Sequence, residues 1–140
     1  MKKTVRDGPI HVMIVDDQLL FRRSLEHLLE LEAERIRIVG TTSNGQETLA
    51  TLEQQAYEGS LPDVVLMGVQ MADLNGIETT TRIQARWPQV QVVLLTTFDD
   101  EMARTAGAMA GAKGYLLKDT SLDVLVSTIE SVYQKHLAYS

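Results

Sequence analysis

The fold that we predict for this chain depends most on the stretch PDVVLMGVQMADLNG, from Pro62 to Gly76. It begins with a continuous apolar run at positions 64–67, which is typical of a strand buried on both faces of a parallel sheet. A polar turn follows and leads, at Gly76, into a segment with helical spacing. In open parallel sheets, chemistry takes place just beyond the carboxyl end of such a strand. The residue at that point is Gly68, which carries no side chain.

Strand-like and helix-like segments alternate on both sides of this stretch. Strands are predicted at 10–15, 36–39, 64–67, 90–95 and 115–117. Helices are predicted at 19–32, from Asn44 to about 58, at 76–87, after Asp99 or Asp100, and after Thr120. Five strands alternating with five helices predict an α/β fold, a single doubly wound parallel sheet with helices on both faces.

Local signals predict where the helices begin and end. Asn44 with Glu47, and Thr120 with Asp123, fit capping boxes, while Gly111 or Gly114 ends the fourth helix. In that helix the residues Met102, Ala106, Met109 and Ala110 share a face, which we interpret as core packing, with a partner surface as the alternative because methionine adapts to interfaces. The core face predicted for the last helix is Leu122, Leu125, Val126, Ile129 and Tyr133.

Length and composition restrict the class of protein. The chain has 140 residues, of which 44% are hydrophobic and 23% charged, as in an ordinary soluble globular domain. Its 13 basic and 19 acidic residues give a net charge of −6, which argues against nucleic-acid binding by this segment alone. It contains no cysteine, so thiolate catalysis is excluded. The start resembles neither a signal peptide nor a membrane span, and we predict a cytoplasmic protein.

Polar side chains follow the predicted strands at one edge of the sheet. Asp16 and Asp17 follow the first strand, Thr96 the fourth and Lys118 the fifth. Two carboxylates, a hydroxyl and an ammonium therefore converge on the position after the third strand. Carboxylate oxygens suit Mg²⁺, and a lysine with a hydroxyl would hold the oxygens of a phosphoryl group.

Four motifs in this order resemble the receiver domain of response regulators. They are IVDD at 14–17, DVVLMGVQM at 63–71, LLTTF at 94–98 and GYLLKD at 114–119. The resemblance covers about 10–135 and implies the flavodoxin-like strand order 2-1-3-4-5. It also implies a receiver domain at 10–136, preceded by a flexible lead-in at 1–9 and followed by the start of a linker or tail at 137–140.

The resemblance implies roles for individual residues at the strand ends. Asp16, Asp17 and the backbone carbonyl of Gln70 correspond to the metal ligands of the family. Thr96 corresponds to its switch hydroxyl and Tyr115 to its switch aromatic residue. Lys118 corresponds to its pocket lysine, and we expect it to form a structural ion pair with Asp16 or Asp17.

Two positions depart from the pattern of the family. Its phosphoacceptor aspartate falls on Gly68, and the proline four residues later is Ala72. Neither Asp73, in the turn, nor Asp63, at the other end of the strand, replaces the missing nucleophile. The pattern therefore predicts that the chain is not phosphorylated and that Mg²⁺ binding is weak or absent. A native Gly68 predicts a phosphorylation-independent receiver, and an engineered one predicts a receiver locked in its inactive state.

The remaining expectations concern partners. The sequence is similar to receivers of the NarL/FixJ type, which implies a histidine kinase partner and a following LuxR-type DNA-binding domain. Receivers commonly pair through the last two helices and the fifth strand, so a homodimer is expected there, around 102–132.

We predict that the chain is not an enzyme. The alternative is a small Mg²⁺-dependent phosphatase-like α/β enzyme, which would need a D-x-D motif where this chain has adjacent Asp16 and Asp17.

Overall fold

The computed structural model describes residues 8–71 and 74–138, in which strands and helices alternate. The strands are β1 (Ile10–Val15), β2 (Ile36–Thr42), β3 (Val64–Gly68), β4 (Gln91–Thr96) and β5 (Gly114–Leu117). The helices are α1 (Leu19–Glu30), α2 (Gly45–Glu58), α3 (Gly76–Arg86), α4 (Glu101–Ala110) and α5 (Leu122–Ala138). The residues Ala72 and Asp73 of the turn, and most of the lead-in and tail, lie outside the described residues.

The five strands form one parallel sheet in the order β2-β1-β3-β4-β5, as predicted. The central strand β3 is buried along its whole length, because its apolar side chains alternate between two cores. One core lies under α1 and α5 and includes Leu29, Leu66 and Ile129. The other lies under α2 and α3 and includes Leu52, Met67 and Ile83. Burying each of these side chains contributes roughly 1.5–3 kcal/mol.

Polar side chains cap the helices near the positions expected from the sequence. Asn44 accepts a hydrogen bond from the amide of Glu47, and Asn75 accepts one from the amide of Glu78. Of the two candidates before α4, Asp100 is the cap. The prediction for α5 was wrong, because the side chain that caps this helix is Ser121, which accepts a hydrogen bond from the amide of Val124.

The prediction that the α4 methionines are core residues was also wrong. Met102 is 82% exposed and Met109 is 84% exposed. The buried residue of α4 is instead Gly107, which packs against the Leu94 side chain of β4. Because a glycine lets the helix backbone approach the sheet, α4 turns its methionines outward.

Several element boundaries differ from those predicted, most of them by one or two residues. Strand β2 continues through Gly40 to Thr42, with a register shift opposite Val12 and Met13. Helix α5 continues to Ala138, two residues beyond the predicted end of the domain. In the part of the chain that the structure describes, no helix is sufficiently long and apolar to cross a membrane.

Candidate functional site

A buried ion pair lies at the carboxyl edge of the sheet, between the ends of β1 and β5. Asp16 is 1% exposed, and its Oδ2 lies 2.7 Å from the Nζ of Lys118. From the sequence, either Asp16 or Asp17 was a candidate partner of this lysine. In the structure the partner is Asp16. The ammonium also lies 4.6 Å from the centre of the Phe21 ring, so its charge is stabilised from two sides.

Gln18 completes this arrangement and was not predicted as a site residue. Its backbone amide donates a hydrogen bond of 2.8 Å to Oδ1 of Asp16, while its side-chain Oε1 accepts one of 2.8 Å from the Nζ of Lys118. Arg22, one helical turn further on, donates to the backbone carbonyl of Asp16 at 2.6 Å. In the sequence, only their position indicated that Gln18 and Arg22 could belong to the site, since both follow the acidic pair closely at the start of α1.

The carboxylate of Asp16 fills the space beside Gly68. A Cβ atom added to Gly68 would lie 2.6 Å from Oδ2 of Asp16 and 3.3 Å from its Cγ. Any side chain at this position would therefore require the carboxylate to move. Since Lys118 and Gln18 both hold that carboxylate, the movement would disrupt the ion pair or its hydrogen bonds.

The chain returns close to Gly68 at the start of α3. The amide of Gly76 donates a hydrogen bond of 2.9 Å to the carbonyl of Val69, and a Cβ atom on Gly76 would overlap the carbonyl oxygen of Gly68. A glycine is needed at position 76 because two backbone segments pass each other in contact. The position after β3 is consequently narrow on this side.

Thr96 lies at the same edge, at the end of β4, and is fully buried. Its hydroxyl donates a hydrogen bond of 3.2 Å to the side-chain Oε1 of Gln70 and accepts one of 3.4 Å from the amide of Phe98. The sequence assigned a role only to the backbone carbonyl of Gln70. In the structure, the side chain of Gln70 satisfies the hydroxyl that the resemblance assigned to a phosphoryl group.

Two other predicted site residues lie apart from the ion pair. Asp17 is exposed, and among residues 8–71 and 74–138 its carboxylate has neither an ion pair nor a hydrogen bond. The ring of Tyr115 lies 4.7 Å from the guanidinium carbon of Arg104. The Tyr115 hydroxyl is buried and has no hydrogen-bond partner within the described structure.

These residues do not fit a tightly bound divalent cation. Within the described ranges, no group of three or more Asp, Glu, His or Cys side chains is placed to hold a metal ion. Asp16 already contacts an ammonium, and Gly68 supplies no oxygen from a side chain. Mg²⁺ needs near-octahedral oxygen ligands and loses its waters reluctantly, so it would have to displace Lys118 with few ligands in return.

Comparisons with known proteins identify the family to which this fold belongs. The family model described as "Response regulator receiver domain" matches residues 12–130. The regulatory protein LnrK of Bacillus subtilis is 38% identical over 124 residues, which cover 89% of this chain and 54% of LnrK. DegU of Brevibacillus brevis is 34% identical over 134 residues, covering 96% of this chain and 54% of DegU.

A solved structure agrees with these relatives. The signal receiver domain of NarL from Mycobacterium tuberculosis superposes with a TM-score of 0.79 at 25% identity, covering 91% of this chain and 98% of that one. LnrK and DegU are both considerably longer than the region that matches this chain. The chain spans about half the length of the curated relatives it matches.

Proposed function

This chain belongs to the response-regulator receiver family, and we propose that it is an atypical receiver that takes up no phosphoryl group. The observation that carries this proposal is the position of the Asp16 carboxylate. It lies in the space that a side chain at position 68 would need, and Lys118 neutralises it there. Glycine has no group that could form an acyl phosphate.

The other polar groups at this edge are also engaged within the chain. Phosphoryl transfer to a carboxylate depends on a positioned nucleophile and on cations that neutralise the developing charge. Lys118 is paired with Asp16, and the Thr96 hydroxyl is bonded to Gln70. In the proposed function, Thr96, Tyr115 and Lys118 are structural counterparts of the family's switch residues. Mg²⁺ binds weakly or not at all through Asp16 and Asp17.

Signalling then takes place through protein contacts. The exposed Met102 and Met109 of α4, with the 70% exposed Phe98 before it, are apolar side chains suited to a partner surface. We expect a homodimer through α4, β5 and α5. By similarity to its relatives, the receiver at 10–136 would act in the cytoplasm, receive input from a histidine kinase and control a LuxR-type DNA-binding domain.

No contact at the site supports the phosphatase-like alternative. That reaction needs a carboxylate that is free to attack a phosphate ester beside a metal ion. Asp16 is buried and paired with Lys118, and Asp17 is exposed. The proposed function is therefore non-enzymatic.

Incubation with acetyl phosphate and Mg²⁺, followed by intact-mass measurement, tests the proposal. We expect the parent chain to keep its mass and Gly68→Asp to gain one phosphate. The added Cβ forces Asp16 away from its present position, which frees Lys118 to neutralise a phosphoryl group.

Gly68→Asn is the matched control, because it adds nearly the same volume without a nucleophilic carboxylate. It should displace Asp16 in the same way and remain unmodified. A phosphate adduct on the parent chain would refute the proposal. An unmodified Gly68→Asp variant would show instead that the site differs from a working receiver by more than one side chain.

A further inference from the structure

A cavity lies at the opposite edge of the sheet from Asp16, beneath the second half of α5. Its volume is about 590 Å³, within the range of roughly 300–1,000 Å³ that is usual for small-molecule sites. Gln91, the first residue of β4, and Lys113, just before β5, line one side. Ser127, Ser131 and Lys135 of α5 line the other.

The cavity carries positive charge on a chain that is acidic overall. Lys113 and Lys135 both line it, and no aspartate or glutamate does. Neither ammonium forms an ion pair with any carboxylate in the described part of the chain. Although the whole chain has a net charge of −6, these two lysines place positive charge at one concave site, where an anion would be attracted.

The helix adds a column of hydrogen-bond donors beside this charge. Ser127, Ser131 and Lys135 are spaced four residues apart, so their side chains lie above one another on one face of α5. The two serine hydroxyls make no hydrogen bond to any residue that the structure describes. They are therefore available to a ligand.

The floor of the cavity consists of buried side chains and is partly apolar. Gln91 is only 4% exposed, and its side-chain amide is held by the backbone carbonyls of Pro88 and Gln89. Val132, which is 7% exposed, supplies an apolar wall. A ligand could therefore place an uncharged part against this wall and its anionic part against the donors.

We propose that this cavity binds a small molecule that carries phosphate groups. Phosphate oxygens accept several hydrogen bonds at once, and lysine ammonium and serine hydroxyl groups are suitable donors for them. The volume exceeds what a single phosphate needs, which favours a ligand with two or more phosphates or with an organic part. This inference does not depend on the state of Gly68, because the two sites lie at opposite edges of the sheet.

Titration of the ¹⁵N-labelled chain with inorganic pyrophosphate, and separately with ATP in EDTA, tests the inference by NMR. We expect the amide signals of Lys113, Ser127 and Ser131 to shift with a Kd on the order of 1 mM or tighter. The double variant Lys113→Gln/Lys135→Gln should weaken binding about tenfold or more, since it removes two charge-assisted hydrogen bonds.

The double variant Arg23→Gln/Arg37→Gln is the matched control. It removes the same charge from exposed positions of α1 and β2 outside the cavity, and it should change the Kd by less than about twofold. The inference is overturned by an absence of shifts up to about 10 mM ligand, well above the expected Kd. Shifts centred on Lys118, or an equal loss of binding in both double variants, would overturn it as well.

Discussion

Replacing Lys118 by methionine should destabilise the fold, because it leaves the buried carboxylate of Asp16 without its cation. Asp16 is 1% exposed and lies 2.7 Å from the ammonium, whereas methionine has similar length and would preserve the packing on Phe21. Removing one partner of a buried ion pair typically costs about 3–5 kcal/mol. The Lys118 side chain keeps 13% exposure, and the Gln18 amide still serves Oδ1. We therefore expect a loss near the lower limit, about 3 kcal/mol.

Urea unfolding followed by circular dichroism measures this loss, with Lys113→Met as the control. Lys113 has no ion pair with a described residue, so its replacement should change the free energy of unfolding by less than about 0.5 kcal/mol. In the double variant Asp16→Asn/Lys118→Met the buried charge is gone, and part of the lost stability should return.

Mg²⁺ provides a second readout of the same ion pair. In the parent chain a cation must displace Lys118 to reach Asp16, while in Lys118→Met the Oδ2 of that carboxylate has no ammonium beside it. A ligand that binds only the folded state stabilises it, so added Mg²⁺ should raise the stability of the variant more than that of the parent. The reasoning is refuted if Lys118→Met unfolds within about 0.5 kcal/mol of the parent, because such a small loss is usual for replacing a surface residue.

Two further predictions concern a helix cap and the α4 surface. Asn75→Ala removes the side chain that accepts a hydrogen bond from the backbone amide of Glu78. The free energy of unfolding should fall by about 1 kcal/mol, which a lower Tm would show. Asn44→Ala, at the equivalent cap of α2, should lose a similar amount, and unchanged melting would contradict the assignment. Met102→Glu/Met109→Glu should leave the melting curve unchanged, because both side chains are exposed. The same double variant should abolish any self-association in sedimentation velocity, and a dimer that survives it would exclude the α4 surface.

Much of this architecture follows from local signals in the sequence. The buried run at 64–67 predicted a central strand, since a strand covered on both faces contains consecutive apolar residues. Asn44 was predicted as a cap and makes the expected hydrogen bond, because such a contact spans only three residues. The strand order was predicted through the resemblance to receivers, and the structure confirms it.

The α4 helix shows where local signals fail. Its methionines recur at helical spacing, which indicates a common face but not whether the sheet covers that face. Gly107 decides this outcome, since its missing side chain allows the helix to approach Leu94 with the opposite face. That choice depends on a neighbouring strand rather than on the period of the helix.

The residues alone showed that Gly68 lacks a nucleophile, and their pattern predicted the polar groups at one edge and the cap of α2, but it misplaced the cap of α5. The contacts between strands were needed to show that Lys118 pairs with Asp16 rather than Asp17, and that the Gln70 side chain accepts a hydrogen bond from Thr96. Consecutive residues at a strand end point in different directions, and Lys118, the partner of Asp16, directly follows the last strand of the sheet, far along the chain. Such a choice is made by the order of β1, β3, β4 and β5 in the sheet, because that order sets which charged side chain is buried beside which other.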